Sequence, residues 1–103
     1  MRVIIEKKAI ECIDAFYRAA MQNHPLLSEE TVMKKKQRLI SSLNSLGEMP
    51  SLYAKSRLKE DWIRNGWREY LCEDFHFAYE ICRDEVEGDF VWVHDAVHSL
   101  LYY

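Results

Sequence analysis

The sequence predicts an α+β domain built from a short N-terminal strand, an antiparallel two-helix hairpin and a three-stranded antiparallel meander. Two observations carry this. Apolar residues recur at three- and four-residue steps through the first half of the chain, and at every second residue after Gly66. Pro25, Ser28, Gly47, Pro50, Gly66 and Gly88 mark the breaks between these runs.

Met1–Ile5, with β-branched Val3, Ile4 and Ile5, reads as the first strand. Ala9/Ile10, Ile13, Phe16/Tyr17 and Ala20/Met21 then share one helical face, while Lys7, Lys8, Glu11, Asp14 and Arg18 line the other. Asp14 and Arg18, four apart with the acid first, are placed to pair along the helix. Pro25 pushes His24 out of the α region and ends the helix. Ser28 is the expected N-cap of a second helix, with Glu29 and Glu30 in its first turn. Val32/Met33, Leu39/Ile40, Leu43 and Leu46 form its stripe, and Gly47 stands where a C′ glycine belongs. The link between the helices is short, so they are expected to pack antiparallel.

Residues 48–66 read as irregular. After Gly66, Trp67, Glu69 and Leu71 face one way and Arg68, Tyr70 and Cys72 the other. Glu73-Asp74 is a tight reversal. Phe75, Phe77, Tyr79 and Ile81 form the row expected to be buried, alternating with His76, Ala78, Glu80 and Cys82. A polar loop over residues 83–89 leads to a last strand at Phe90–Val93. If Cys82 pairs with Phe90, Val91 and Val93 join the buried face and His76 lies opposite Ala96, with His94 and His98 as diagonal neighbours on one face. A two-residue turn at Glu73-Asp74 pairs Arg68 with Tyr79, on the face opposite His76.

At 103 residues, 49% apolar and 13% aromatic, one domain over 1–103 can bury a core without metal or disulfide staples. Cys12, Cys72 and Cys82 are odd in number and widely spaced, the pattern of reduced thiols in a cytoplasmic protein. No run is long and apolar enough for a membrane span and no signal-peptide pattern opens the chain, so neither a membrane nor export is expected. The net charge of −3 is uneven. Residues 1–65 hold twelve Lys/Arg against eight Asp/Glu, and residues 66–103 hold two against nine. Such asymmetry speaks to partners rather than fold.

Three scattered glycines exclude a phosphate-cradling glycine loop, and no nucleophile-elbow motif is present. No cofactor is expected. His94 and His98 would share a face as a helix, but as strand residues they stand about 13 Å apart, and no metal site is expected. An RNA-cleaving surface needs a proton acceptor, a proton donor and cations for the phosphate. Arg68, His76 and His98 are the candidate catalytic residues. Lys55, Arg57 and Lys59 of the loop before the sheet, with Lys34, Lys35 and Arg38 of the second helix, are candidates for binding RNA or an acidic partner. Tyr102 and Tyr103 close the chain beside His98 in sequence.

In order, these pieces resemble the RelE/ParE superfamily of toxins from bacterial type II toxin–antitoxin modules. The resemblance rests on Gly66-Trp67-Arg68-Glu69-Tyr70-Leu71, Asp74-Phe75-His76-Phe77-Ala78-Tyr79-Glu80-Ile81, Phe90-Val91-Trp92-Val93, Val97-His98-Ser99 and the loop Ser56-Arg57-Leu58. It implies a growth-inhibiting toxin that cleaves mRNA on the ribosome, with Arg68 contacting RNA. It also implies a cognate antitoxin that wraps the helices and part of the sheet. His76 stands where many members carry a second arginine, and Ser99-Leu100-Leu101 follow His98 where a basic stretch is frequent. The same superfamily includes toxins that grip DNA gyrase without catalysis, and a homologue that only binds its antitoxin is a further alternative. A homodimer is compatible with all of these.

Overall fold

The computed structural model describes residues 1–101. Its elements follow the expected order with α3 and a closing 3₁₀ turn added: β1 (Arg2–Ile5), α1 (Lys7–Asn23), α2 (Glu29–Ser45), α3 (Glu60–Arg64), β2 (Arg68–Cys72), β3 (Phe75–Cys82) and β4 (Phe90–His98), then the turn at Ser99–Leu101. The α+β layout of strand, helical hairpin and antiparallel meander is therefore the fold of this chain. No helix among the described residues is long and apolar enough to cross a membrane.

The four strands form one sheet in the order β1-β4-β3-β2, with β1 parallel to β4 and the remaining pairs antiparallel. Period-two alternation sets which face each row occupies. Phe75, Phe77 and Tyr79 are fully buried, with Val91 and Val93 beside them. Ala9, Ile13 and Tyr17 of α1 and Val32, Leu39 and Leu43 of α2 cover this face. Ile81 belongs to the same row but is only half-buried, being near the hairpin end of the strand. Met33 is exposed, because the α2 stripe runs through Val32, Leu39 and Leu43. Ser28 caps α2 by accepting the Thr31 N–H at 3.1 Å.

Several local expectations are corrected. Asp14 pairs with Lys36 across the helical hairpin at 2.7 Å rather than with Arg18. A tertiary partner on the facing helix displaces the i,i+4 one. Gly47 is not in the left-handed region. It is required for another reason, since a Cβ there would collide with the Met1 carbonyl oxygen. Residues 60–64, read as irregular, form α3, with Glu60 and Asp61 in its first turn and Arg64 in its last. Its signal was the left-handed Gly66, φ +68°, just past the Asn65 cap. α3 lies on the sheet face opposite the helical hairpin, where Trp62 is fully buried.

The last strand runs to His98, not Val93, and contains a β-bulge. Ala78 pairs with Asp95 while Tyr79 pairs with Val93, leaving His94 as the extra residue. One added residue reverses the facing of all that follow. His76 is therefore opposite Val97 rather than Ala96, and His94 and His98 fall on opposite faces. His94 stacks on Trp67 at 4.2 Å, and His98 stacks on Phe16 of α1 at 3.8 Å. The Glu73-Asp74 reversal is as expected, with φ of +48° and +68°. These are the angles of a two-residue hairpin turn matched to strand twist.

Candidate functional site

The two-residue turn fixes the register Arg68↔Tyr79, Glu69↔Ala78 and Leu71↔His76. Glu69 and His76 thus become diagonal neighbours on the sheet face away from the helical hairpin. Glu69 Oε2 lies 2.9 Å from His76 Nδ1, and Ser99 Oγ lies 2.9 Å from His76 Nε2. Because a carboxylate only accepts, Nδ1 carries a proton and Nε2 faces the serine hydroxyl. Ser56 Oγ donates to Glu69 Oε1 at 2.7 Å, so both carboxylate oxygens are held. Buried Ser56 is itself fixed by its N–H on the Trp67 carbonyl and by accepting the Leu58 N–H. The Ser99 N–H and Oγ–H both donate to the Asp74 carbonyl, at 2.8 and 3.0 Å, which places the 3₁₀ turn over the start of β3 and leaves the Ser99 oxygen lone pairs toward His76. His76 keeps 18% side-chain exposure and Glu69 23%, enough for contact with a bound molecule.

An open cleft of about 780 Å³ adjoins this cluster, with Lys55, Arg57, Ile63, Gly66 and Glu69 among its lining residues. Lys55 and Arg57 are exposed, and neither forms an ion pair among the described residues. Four of the nine acids of the sheet half lie well away from the site. Asp84, Glu85, Glu87 and Asp89 sit in the β3–β4 loop, roughly 20 Å along the strand from His76. Asp84 and Glu87 there meet Arg2.

The expected catalytic residues are not brought together. Arg68 lies on the helical side, where Nη1 donates to the Tyr53 carbonyl at 2.6 Å and the Ser51 carbonyl at 3.5 Å. It pins the loop that closes over that end of the core. His98 is on the same face as Arg68, but beside Phe75 rather than Tyr79, about 13 Å along the strand. It is buried against Phe16 and Phe75. Burial, reinforced by nearby His76 and opposed by Asp74, holds its imidazole below the ordinary histidine range. Of the binding candidates, Lys34 pairs with Glu30 and Arg38 with Glu73. Lys35 is half-buried on the same helix. Lys59 lies over Trp62 and reaches Asp95. Tyr102 and Tyr103 lie outside the described residues.

Two further titratable centres flank the site. Glu80 accepts from His94 Nε2 at 2.6 Å and from Trp67 Nε1 at 3.0 Å. Burial alone would raise the Glu80 pKa, but these bonds and the Cys82 thiol bring it below the usual range. Burial in turn pushes the Cys82 thiol up to about 11. Asp95 is 2% exposed and accepts Trp62 Nε1–H at 2.9 Å, with Lys8 and Lys59 at 3.4 and 3.5 Å. Burial opposes its charge, and the donors and lysines overcome that, holding it below the usual range. All three cysteines are free.

Sequence reading missed Glu69, Ser56 and Ser99. Glu69 was recoverable, since the two-residue turn already places it diagonal to His76. Ser56 and Ser99 reach the cluster from a loop and a 3₁₀ turn, and periodicity does not register either. No family model and no curated protein matches the chain.

Proposed function

We propose that this chain is the toxin component of a type II toxin–antitoxin module of the RelE/ParE kind and that it inhibits growth by cleaving mRNA. In this reading an RNA 2′-hydroxyl takes the place of the Ser99 hydroxyl and gives its proton to His76 Nε2 as its oxygen bonds the phosphorus; the P–O5′ bond breaks to leave a 2′,3′-cyclic phosphate, and the departing 5′-oxygen takes its proton from water. Glu69 is a positioning residue that fixes the histidine tautomer. Lys55 and Arg57 meet the scissile phosphate and its neighbour. Arg68 and His98 serve the fold. The single observation behind this is the Glu69–His76–Ser99 chain of 2.9 Å contacts, adjoining a cleft that carries two cations without ion pairs. A histidine oriented by a carboxylate is the arrangement general base catalysis requires.

The test is cleavage of a ribosome-bound message by wild type, His76→Gln, Glu69→Gln and the Lys55→Ala/Arg57→Ala double variant. His76→Gln should lower the cleavage rate by about 10²–10⁴-fold. The double variant should reduce the salt dependence of RNA binding, with a log–log slope smaller by about 1.4. Growth inhibition without any cleavage, together with loss of gyrase supercoiling, would instead favour the protein-gripping reading.

A further inference from the structure

A largely apolar groove of about 560 Å³ runs along α1 beside the end of β4. Ala15 and Ala19 stand one turn apart on α1, and their short, exposed side chains leave the room that the groove occupies. Contacts give it a direction. Lys8 and Cys12 meet Asp95 at the first end, Phe16 stacks on His98 at 3.8 Å to form the floor, and the 3₁₀ turn follows. Leu100 and Leu101 of that turn, 64% and 68% exposed, flank the far end. The first end is polar. Lys8 and Lys59 lie 3.4 and 3.5 Å from Asp95 Oδ2, and neither pairs with another acid among the described residues. Two ammonium groups thus share one carboxylate, and this end carries one positive charge in excess.

We propose, independently of the cleavage reading, that this groove binds a free straight-chain monocarboxylate of medium length. Its carboxylate meets Lys8 and Lys59, and its tail lies along Ala15 and Ala19 toward Leu100. An apolar cavity with a few polar groups converging at one end is the usual form of a small-molecule site. A methylene chain asks only for apolar contact, which suits walls whose polar groups are already engaged. The Ala96 N–H is accepted by Asp95 at 2.9 Å and the Leu100 N–H by His98 Nδ1 at 3.1 Å. Asp95, Ala96 and His98 are buried, so the strand offers no edge to a peptide. Length follows from the helix. Lys8 and Ala19 are eleven residues apart on α1, about 16 Å, which a chain of about ten carbons with its carboxylate largely covers. The carboxylate follows from the excess charge, and Lys8, 60% exposed, is free to turn to it.

The test titrates the full chain with decanoate, octanoate and decanol, each below the concentration at which it forms micelles. Calorimetry reads the affinity, and nuclear magnetic resonance of the backbone amides reads the place. Decanoate should shift the amides of residues 15–20 and of Leu100. It should bind about tenfold tighter than octanoate, which buries two fewer methylenes, and about tenfold tighter than decanol, which has no charge. Lys8→Glu should remove the preference for decanoate over decanol while leaving decanol binding in place. Ala19→Trp, at an exposed helix position where circular dichroism verifies the fold, should block all three ligands. Three results would overturn the proposal: equal affinity for decanoate and decanol in the wild type, decanoate binding unchanged by Ala19→Trp, or no saturable shift at residues 15–20 and Leu100. The Lys8→Glu comparison decides the matter if Ala19→Trp does not fold, since an undiminished preference there would also refute it.

Discussion

Trp62→Phe isolates one bond that ties α3 to the sheet. The indole is fully buried, and its Nε1–H donates to Asp95 Oδ2 at 2.9 Å. Phenylalanine keeps most of the apolar contact and deletes the donor. A hydrogen bond to a charged group contributes about 1.5–3 kcal/mol net. Asp95 retains the Ala96 N–H and two lysines, which favours the lower half of that range. The smaller ring adds a void worth about 1 kcal/mol, so the expected loss is about 2–3 kcal/mol. At about 4 °C per kcal/mol for a domain of this size, the melting midpoint should fall by about 8–12 °C. Urea denaturation of Trp62→Phe, Asp95→Asn and the double variant gives the coupling directly, expected at about 1–2 kcal/mol. A loss under about 0.5 kcal/mol for Trp62→Phe, or no coupling, would show that Asp95 does not anchor α3.

Phe77→Ala should cost about 3–5 kcal/mol in urea denaturation, because the ring is fully buried in the row facing α1 and α2; a loss below about 1 kcal/mol would contradict the facing of β3. Glu73→Asn with Asp74→Gly should stabilise by about 1 kcal/mol, since both positions have positive φ and the replacements tolerate it; destabilisation would refute the turn assignment. His98 has a depressed pKa when folded, so below its ordinary value of about 6.5 the unfolded chain takes up a proton that the folded one refuses. Stability should fall as the pH drops through about 6.5 and then level off below the folded value, and His98→Phe should flatten that part of the denaturation profile.

Much of the fold is legible in the sequence because the signals are local. Ser28, the stripe from Val32 to Leu43 and the alternation from Phe75 to Tyr79 each report their own element. The two-residue turn even carries the register that puts Arg68 beside Tyr79 and away from His76. What escaped depends on distance or on a single residue. α3 is five residues long, too short for periodicity to show. The bulge at His94 has no signature in the pattern, yet it sends His94 and His98 to opposite faces. Arg68 looks like a functional cation by type. Only the folded loop shows it bound to the Tyr53 carbonyl. The pair Glu69 and His76 was within reach of register reasoning, whereas Ser99 arrives through the turn that follows β4.

Under the proposed function, His76, oriented by Glu69, moves a proton during RNA cleavage. The most direct measurement is the rate of mRNA cleavage on ribosomes by wild type, Glu69→Gln and His76→Gln, each first checked for an unchanged fold. His76→Gln should lose at least about a hundredfold in rate, and Glu69→Gln should fall between it and wild type. Cleavage at the wild-type rate by either variant would contradict that role.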